Sequence, residues 1–546
     1  MYRKPPDPES VFTIDNTATD CTSLVTYASP TSIEEAERVR RRPWHRPWDR
    51  PVTRAEQRLR SIGAAVPDRE ALPIRILQVG AGNFLRGFAD WMVHRANDAG
   101  VLRHGIAVMK ATPRPDLVTA RLAEQAGMYH VVLDGVRDGH PFTETTLVTA
   151  VQSVADAHHD WDRCRELMHG EELSLVVSNT TEAGIAYVAD DLTAAPPASF
   201  PAKMTALLHE RWTHFGGDPR RGLSFLPCEL IEDNGATLRS LVVRHATEAS
   251  LAPGFIDWVT RHCHFYDTLV DRIVPGLPEH EAAGLRASLG FDDRLIVRGE
   301  HYADWAIAGG PAIRDEFPLD RAGLPVRFVP DLRPYRERKV RVLNGAHTAI
   351  AAVGPLVGCR TVLDVVRHPV AGAYLRRLVD DEVLPSLPGA SGDPAELRRY
   401  AAAILDRFRN PALHHLLADI RLNALSKWRT RNLPVVLDAW SQGRSAELTV
   451  FAFACLLTGY AGALGEVEAR DDEAFLSRLR AGFDATRPGP WIADLIGSLD
   501  WPELHDSATA ARLTTEVTTH VRALLTGDPA AVLTALAAGP PAPDVP

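Results

Sequence analysis

The segment "PIRILQVGAGNFLRGFADWMVHRAND", residues 73–98, determines how the rest of the chain is interpreted. It opens with Ile74–Val79, an apolar run of strand length, and Gly80 and Gly82 follow in the next four positions. Beyond the glycines, apolar side chains recur at helical spacing. A buried strand, a glycine turn and a helix in this order predict the first unit of a doubly wound α/β domain.

Strand-like runs and helical patterns alternate downstream of this unit. Helical patterns such as 116–127 and 202–215 lie between short apolar runs. This alternation predicts a mostly parallel sheet that is covered on both faces. The segment 131–148 contains Asp-Gly turn signals and is predicted to be an inserted hairpin. The further strand-like runs are 105–110, 129–133, 173–179 and 223–230.

The length of 546 residues is too great for one hydrophobic core, so two domains with tails are expected. We predict a Rossmann-type domain over 73–270 and a mostly α-helical domain over 271–535, because strand-like runs become rare after about residue 270. Residues 1–72 are interpreted as a disordered extension and residues 536–546 as a disordered tail. The N-terminus lacks the apolar region of a secretory signal.

The segment 38–52 mixes arginine with proline and tryptophan, which no regular element tolerates. One interpretation is a disordered leader, or an upstream start codon included in error. The other is a basic, aromatic arm that contacts an acidic partner. The first interpretation is favoured.

Composition restricts the partners that are expected. The net charge of −10 and the pI of about 6.1 argue against nucleic-acid binding through bulk charge. The six cysteines contain no CxxC pair, which fits a reducing cytoplasm. The uncharged run 448–465 is short for a membrane span and contains three glycines, so a buried helix is predicted there. A cytoplasmic protein without a membrane partner is expected.

Gly80 and Gly82 stand where a dinucleotide-binding turn would hold a pyrophosphate. The third position of the fingerprint is Leu85 instead of glycine, and FAD- and SAM-binding proteins share the strand–GxG–helix pattern. The motif alone therefore does not choose the ligand. The acid that would hold the adenosine ribose is missing, and Lys110 and Arg114 stand nearby, which leaves NADP open beside NAD.

Polar residues follow two later strands. "VVSNTTEAG" leads from a strand into Ser178, Asn179, Thr180 and Glu182. At the carboxyl edge of a doubly wound sheet such residues line the cofactor crevice. They also suit a helix N-cap with the glutamate in the first turn, and both interpretations are compatible. Asn234 stands before a glycine in another strand-end loop, where the pair alone would indicate a turn.

"KVRVLNGAHTAI", residues 339–350, sets Lys339, Asn344 and His347 at spacings of five and three. We expect a helix to begin near Leu343, with Lys339 in an extended segment before it. Neighbouring cations and partial burial favour a neutral amine, as a general base near neutral pH requires. An amide can stabilise an alkoxide and an imidazole can orient the same oxygen. A solvated basic strand before a capped helix is the alternative interpretation.

Other polar clusters are less informative. Asp271 and Arg272 lie in an apolar run and suit a buried or interdomain ion pair. The histidines at 158–159, 262–264 and 414–415 lack the spacing of a metal site, so a metal-independent mechanism is expected.

The motifs "GAGNFLRGF", "SNTTEAG", "PCELIEDNG", "LVDRIV" and "PYRERKVRVLNGAHTA" occur in the order and approximate spacing of the polyol-specific long-chain dehydrogenases. The chain resembles this mannitol dehydrogenase family from about residue 73 to about residue 480. Within it, three of the motifs are most similar to the branch that interconverts D-tagaturonate and D-altronate. The resemblance implies a Rossmann-type N-terminal domain, a helical C-terminal domain, a substrate between them and no metal.

The resemblance also implies roles for individual residues. Lys339 would be the general base that takes the hydroxyl proton in oxidation and returns it in reduction. Asn234 and Asn344 would hold the developing alkoxide, and His347 would orient the substrate oxygen. The implied cofactor contacts are Gly80, Gly82, Asn83, Phe84, Arg86, Ser178, Asn179, Thr180 and Glu182.

The resemblance further implies NAD, because members of this branch use NADH although they too lack the second-strand acid; NADP stays open. A uronate carries a carboxylate, with which an arginine of "RPYRERK" or Arg272 could pair bidentately. Relatives acting on fructuronate and mannonate, or on polyols such as mannitol and arabinitol, differ by a few hydrogen bonds and remain alternatives. A catalytically silent dinucleotide-binding protein is disfavoured, because the catalytic motif is intact. The implied substrate contacts are Asp271, Arg272 and Lys427.

Overall fold

The structure is a computed structural model, and it describes residues 59–66, 68–114, 116–137, 140–180, 184–387, 393–412, 415–465 and 469–539. The arm at 38–52 and the expected cofactor contact Glu182 lie outside the described residues. Residues 59–66 and 68–72, within the expected extension, are part of the folded unit. The main-chain N–H of Arg60 donates to the carbonyl of Gly290 at 3.1 Å.

The described residues form twelve strands in three sheets. The strands are β1 (Ile74–Val79), β2 (Gly105–Lys110), β3 (Tyr129–Arg137), β4 (His140–Val148), β5 (Val151–Asp156), β6 (Leu175–Ser178), β7 (Ser224–Pro227), β8 (His264–Phe265), β9 (Thr268–Asp271), β10 (Val297–Glu300), β11 (Asp304–Ala308) and β12 (Val326–Val329).

The six-stranded sheet has the order β5-β2-β1-β6-β7-β8, and all of its neighbouring strands are parallel. Counted along the chain, this is the order 3-2-1-4-5-6 of the dinucleotide-binding fold, which reverses between β1 and β6. Side chains alternate between two cores: Ile76 lies in one, and Leu77 and Val79 lie in the other. Both faces are therefore covered, as the alternating pattern predicted.

Two smaller sheets complete the strand-rich part. The predicted hairpin is confirmed, because β3 and β4 pair antiparallel and β10 joins β3. The third sheet has the order β12-β11-β9 and pairs Asp304 with Asp271. The expected boundary at 270/271 would divide this sheet. We propose a boundary near residue 330 instead; the later strands are only four or five residues long, which is why their pattern is weak.

Helices cover the sheets and form the second half of the chain. In the first part they are α1 (Asn83–Gly87), α2 (Ala89–Asp98), α3 (Leu117–Glu124), α4 (Trp161–Met168), α5 (Phe200–His214), α6 (Asn234–Glu248), α7 (Pro253–His262), α8 (Glu279–Leu289) and α9 (Pro311–Glu316). In the second part they are α10 (Arg333–Arg338), α11 (Ala346–Val353), α12 (Val362–Arg367), α13 (Pro369–Arg377), α14 (Leu384–Ser386), α15 (Pro394–Phe408), α16 (Leu417–Ile420), α17 (Ala424–Arg431), α18 (Leu433–Ser441), α19 (Glu447–Tyr460), α20 (Glu473–Ala481), α21 (Pro488–Gly497), α22 (Ser507–Thr526) and α23 (Pro529–Ala538).

The helical part has its own hydrophobic core. Helix α19 is buried on all sides from Leu448 to Tyr460, which confirms the predicted buried helix. The helical run Arg333–Val357 is long and apolar enough to cross a membrane by composition, but much of it is buried inside the protein. Its side chains Val342, Ile350 and their neighbours belong to the core, which is the ordinary position of such a helix in a large domain.

Candidate active site

The turn after β1 has the space that a phosphate requires. Gly80 has φ +109°, and a Cβ there would lie 3.0 Å from the carbonyl oxygen of Asn179. Gly82 precedes α1, is exposed, and would have no atom within 4 Å of a Cβ. Glycine is therefore required at the first position for its conformation, and the second leaves the backbone open to a ligand.

The other residues of this turn pack inward. The Arg86 guanidinium donates to the carbonyls of Ala81 at 3.1 Å and Leu295 at 2.5 Å, and to Asn83 Oδ1 at 2.6 Å. Burial lowers its pKa. Phe84 stacks on Phe88 with ring centroids 4.9 Å apart. Arg86 and Phe84 thus hold the turn in place through contacts within the protein.

The polar residues after β6 are tied to the neighbouring strand. Glu229, which follows β7 and is 2% exposed, accepts from Ser178 Oγ at 3.0 Å and from the main-chain N–H of Thr180 at 2.8 Å. Burial raises the pKa of Glu229. Asn179 Nδ2 donates to the carbonyl of Cys228 at 3.1 Å. Sequence analysis missed Glu229, although its position directly after a strand in "PCELIEDNG" was a usable signal.

The end of β2 carries a buried ion pair. Lys110 is 5% exposed, and its Nζ lies 2.8 Å from Asp156 Oδ2 at the end of β5. Burial opposes ionisation of Asp156, but the hydrogen bonds from Lys110, His158 and His159 lower its pKa overall. Asp156 was not singled out from the sequence. Its pairing with Lys110 depends on strand order, because Asp156 lies 46 residues later in the chain.

Lys339, Asn344 and His347 lie on one continuous helical run. A π-helical segment, Lys339–Gly345, connects α10 directly to α11. The expected extended approach to Lys339 is therefore wrong. The alternation of charged and apolar residues there reflects a widened helix that buries Val342. Hydrogen bonding from i to i+5 places Lys339 and Asn344 above one another, and π-helical turns are frequent at functional sites.

Lys339 reaches the strand-rich part of the molecule. Its Nζ donates to the carbonyl of Val270 at 3.0 Å and lies 3.7 Å from Asp271 Oδ1. Both oxygens of Asp271 accept from Arg407, at 3.0 and 3.1 Å, and Arg407 also binds Glu300 at 2.9 and 2.6 Å. Two cations and two carboxylates thus alternate in a chain that joins α15 to β9 and β10.

The carboxylates and the guanidinium of this charge chain are buried. Arg407 is 6% exposed and its guanidinium lies 4.2 Å from the centroid of the Tyr302 ring. Burial opposes the charge of Arg407, but Glu300 and Asp271 outweigh it and raise the pKa of the guanidinium. Burial raises the pKa of Glu300, and the contacts with Arg407 oppose this rise.

His347 lines a small pocket beside this chain. Its ring stacks on Phe408 with centroids 4.3 Å apart, and its buried Nε2 has no hydrogen-bond partner among the described residues. Burial, followed by the charges of His415, Arg407 and Arg431, holds the pKa of His347 well below its usual value, so the ring is neutral. The pocket is lined by Ile273, Leu343, His347, Val362, Arg407, Phe408 and His415.

The two asparagines expected to act together have different environments. Asn344 is half-buried, and no hydrogen bond from its side chain to another described residue is present. Asn234 is 1% exposed; its Nδ2 donates to the carbonyls of Pro227, Glu229 and Thr268, all at 3.0 Å. Its Oδ1 accepts the main-chain N–H groups of Gly235 and Thr268 at 2.9 Å. The amide of Asn234 is therefore used by the scaffold.

The expected substrate contacts also differ. Arg272 donates to the carbonyls of Gly87, His301 and Tyr302, and burial lowers its pKa to about 10. These bonds hold α1 against the end of the third sheet. Lys427 is half-buried on α17, and its Nζ donates to the carbonyl of Ile420 at 2.9 Å.

The structure therefore brings Lys339, Asp271 and His347 together through Arg407, with Asn344 on the same helical run. It does not bring Arg272 or the amide of Asn234 into that group. Arg407 was missed from the sequence, where it is one arginine among many in an amphipathic helix.

Sequence models of known families match both halves of the chain. Residues 74–320 match the mannitol dehydrogenase Rossmann domain, and residues 331–521 match the mannitol dehydrogenase C-terminal domain. The gap between the two matches falls at the boundary that the sheets indicate.

Curated relatives cover most of the chain. The altronate oxidoreductase of Bacillus subtilis is 43% identical over 71% of this chain and 80% of its own length. That of Klebsiella pneumoniae is 40% identical over 76% of this chain and 85% of its own length.

Two solved structures share the fold. A D-sorbitol dehydrogenase in substrate-free form superposes with a TM-score of 0.70 at 21% identity, covering 84% of this chain and 95% of that one. The mannitol 2-dehydrogenase of Pseudomonas fluorescens, in a ternary complex with NAD and D-mannitol, gives 0.61 at 22% identity, over 86% and 95%. On the family matches and the identity to its relatives, this chain belongs to the mannitol dehydrogenase family.

Proposed function

We propose that this protein is an NAD-dependent oxidoreductase that interconverts D-tagaturonate and D-altronate without a metal ion. The proposal rests on one observation above all: a single helical run carries Lys339, Asn344 and His347, with Lys339 next to Asp271. The curated relatives support the substrate, since two altronate oxidoreductases are 43% and 40% identical to this chain.

The glycine turn fits a dinucleotide. Gly82 is open, Gly80 approaches the main chain of Asn179, and both lie where the strand order reverses between β1 and β6. Main-chain N–H groups of this turn would bind the pyrophosphate, as in other strand–turn–helix units. When bound, the nicotinamide ring supplies the hydride acceptor in oxidation and the hydride donor in reduction.

Proton transfer and stabilisation of the reacting oxygen are assigned to different side chains. Lys339 takes the proton of the substrate hydroxyl during oxidation and returns it during reduction. The Asn344 amide donates to the oxygen on which negative charge develops, and the neutral His347 orients the same oxygen through its unpartnered Nε2. Asp271 positions Nζ of Lys339 and is itself fixed by Arg407. Asn234 supports the loop after β7 and is assigned to the scaffold.

The pair at the end of β2 supports NAD over NADP. A lysine at this position could accept a 2′-phosphate if its charge were free. Lys110 is instead buried against Asp156, whose carboxylate would repel a second anion. The ribose end of the site therefore favours a cofactor without the additional phosphate.

The test is NADH consumption by the purified protein, followed by the loss of nicotinamide absorbance, with D-tagaturonate, D-fructuronate and D-fructose in parallel. Fast turnover is expected on D-tagaturonate, and slower turnover when NADPH replaces NADH. Activity on D-fructose or D-fructuronate alone would reject the substrate assignment while leaving the Lys339 chemistry intact.

A further inference from the structure

Helix α17 carries two cations on the side that approaches the catalytic run. Lys427 and Arg431 are four residues apart and therefore share a face of the helix. Arg431 Nη1 donates to Thr348 Oγ1 at 3.2 Å. The next residue, Asn432, donates through Nδ2 to the carbonyl of Gly345 at 3.1 Å. The end of α17 is thus bound to the segment that holds Asn344 and His347.

Among the described residues, neither cation forms an ion pair with a carboxylate, although the charge of Asp471 opposes the lowering of the Lys427 pKa. In the part of the chain that the structure describes, Arg431 makes no ion pair, and burial lowers the pKa of its guanidinium. Burial, followed by the charge of Arg431, also lowers the pKa of Lys427. The nearby Asp471 accepts from the main-chain N–H of Leu425 at 2.8 Å and from Tyr460 at 3.3 Å.

Two like charges at i and i+4 destabilise a helix, and partial burial increases the cost because the charges lose solvent screening. An anion bound between them would remove this repulsion. The two half-buried cations therefore form a preformed position for a negatively charged group, close to His347, whose pKa the charge of Arg431 also helps to lower.

The arginines that the sequence suggested for a substrate carboxylate are already occupied. Arg272 binds three main-chain carbonyls. Arg338 is 1% exposed and pairs with Glu396 at 3.0 Å and with Asp304 at 3.5 Å. Arg336 lies 3.3 Å from Glu232, and Arg333 lies 2.7 Å from Asp331.

We propose that Arg431, assisted by Lys427, binds the carboxylate of the sugar-acid substrate. This inference rests on the proposed function and adds the group that separates hexuronates from neutral sugars. In D-tagaturonate the keto carbon and the carboxylate stand near opposite ends of the carbon chain. When the keto carbon lies at Lys339, the carboxylate therefore lies some distance from Lys339. Arg431, on the neighbouring helix α17, is the cation that we expect it to contact. A guanidinium is suited to this task because it can hold both carboxylate oxygens.

The experiment compares D-tagaturonate with D-tagatose, the ketose of the same configuration that carries a hydroxymethyl group in place of the carboxylate. The ratio of kcat/KM for the two sugars measures carboxylate recognition alone. Arg431→Met should lower this ratio about 10- to 100-fold, the scale of a lost charge-assisted hydrogen bond, through a higher KM for D-tagaturonate. The kcat/KM for D-tagatose should fall much less than that for D-tagaturonate. The ratio for Arg431→Lys should lie between the ratios for Arg431→Met and the wild type.

Arg429→Met is the matched control, because it removes the same charge from the same helix. Arg429 pairs with Glu503 at 3.1 Å, outside the group just described. The ratio of kcat/KM for D-tagaturonate to kcat/KM for D-tagatose should be the same in Arg429→Met as in the wild type. Circular dichroism and the affinity for NADH, measured by fluorescence, establish for each variant that the protein is folded and binds cofactor.

The outcomes separate the two proposals. A wild-type preference for D-tagaturonate that survives Arg431→Met and Arg431→Lys would overturn the inference and leave the proposed function standing. An equal loss of activity on both sugars would also overturn it, since that indicates a structural role. If the wild type itself does not prefer D-tagaturonate to D-tagatose, the proposed function fails and the inference fails with it.

Discussion

The edge of the parallel sheet and the helical run 333–353 both carry buried polar groups, but they use them in opposite ways. At the sheet edge, Ser178 and Thr180 are bonded to Glu229, and the Asn234 amide is bonded to main chain on every side. On the helical run, Nε2 of His347 has no partner among the described residues. Unpaired buried groups are costly, so they persist where a ligand can complete them.

This difference distinguishes the residues that support the fold from the residues that are proposed to act on the substrate. The sheet edge is rigid before any ligand binds, because its hydrogen bonds are already made. By contrast, Nε2 of His347 on the helical run has no hydrogen-bond partner among the described residues. It lies next to the charge chain in which Arg407 binds Asp271 and Glu300, and this chain joins the two domains. Variants in the two regions should therefore have different consequences.

The largest effect is expected at the general base. Lys339→Ala should lower kcat by about 10²–10⁴-fold, the usual scale for a lost acid/base group, because it removes the proposed acceptor of the hydroxyl proton. NADH affinity should be retained, since the glycine turn is untouched. Steady-state kinetics and a fluorescence titration measure the two quantities. Arg333→Ala, on the same run but 80% exposed, is the control and should behave as the wild type. Near-normal turnover in Lys339→Ala would contradict the proposal that Lys339 is the general acid/base.

The asparagine pair tests the comparison directly. Asn344→Ala should lower kcat by about 10²–10³-fold, as for a lost oxyanion donor, with little change in stability. Asn234→Ala should instead lower the free energy of unfolding by about 1–3 kcal/mol, because it leaves buried main-chain groups unpaired. Urea denaturation and kinetics on both variants distinguish the two roles. If Asn234→Ala lost only turnover and no stability, its assignment to the scaffold would be wrong.

A smaller effect should appear as a pH dependence of stability. His347 has a pKa well below its unfolded value of about 6.5, so the unfolded chain binds more protons as the pH falls below that value. Its contribution is therefore complete above about pH 6.5 and is lost as the pH falls, by up to about 2 kcal/mol at pH 5. Urea denaturation of His347→Gln should show a flatter acid limb than the wild type. His280→Gln, which changes an exposed histidine on α8, should show no such change.

The smallest effect concerns the cofactor. Asp156→Asn frees the charge of Lys110, and the affinity for NADPH should rise about tenfold relative to NADH, the scale of one charge-assisted contact. Fluorescence titration with each nucleotide gives the ratio without turnover. Asp162→Asn, at an acid that is 87% exposed, should leave it unchanged. An unaltered ratio in Asp156→Asn would mean that this pair does not select the cofactor.

Local patterns predicted much of the fold. The strand, turn and helix of residues 73–98, the hairpin and the buried helix α19 follow from hydrophobic periods and turn residues within one segment. The third sheet was not anticipated, because β9, β11 and β12 are short and their partners lie about 20 or more residues away. The π-helical segment was also missed. Its charged and apolar residues alternate as in a strand, and only packing against the helical core resolves the ambiguity.

The sequence by itself determined the family, the parallel sheet with its glycine turn, and the set of residues able to do acid/base chemistry, because each is a pattern of neighbouring residues. Only the tertiary structure decided which of those residues are free to act. Asn234 and Arg272 are bonded to main-chain groups far away in the chain, and Lys110 pairs with Asp156. Arg431 has no carboxylate partner among the described residues. Hydrogen-bond satisfaction and charge neutralisation depend on every group within a few ångströms, and folding alone determines which groups those are.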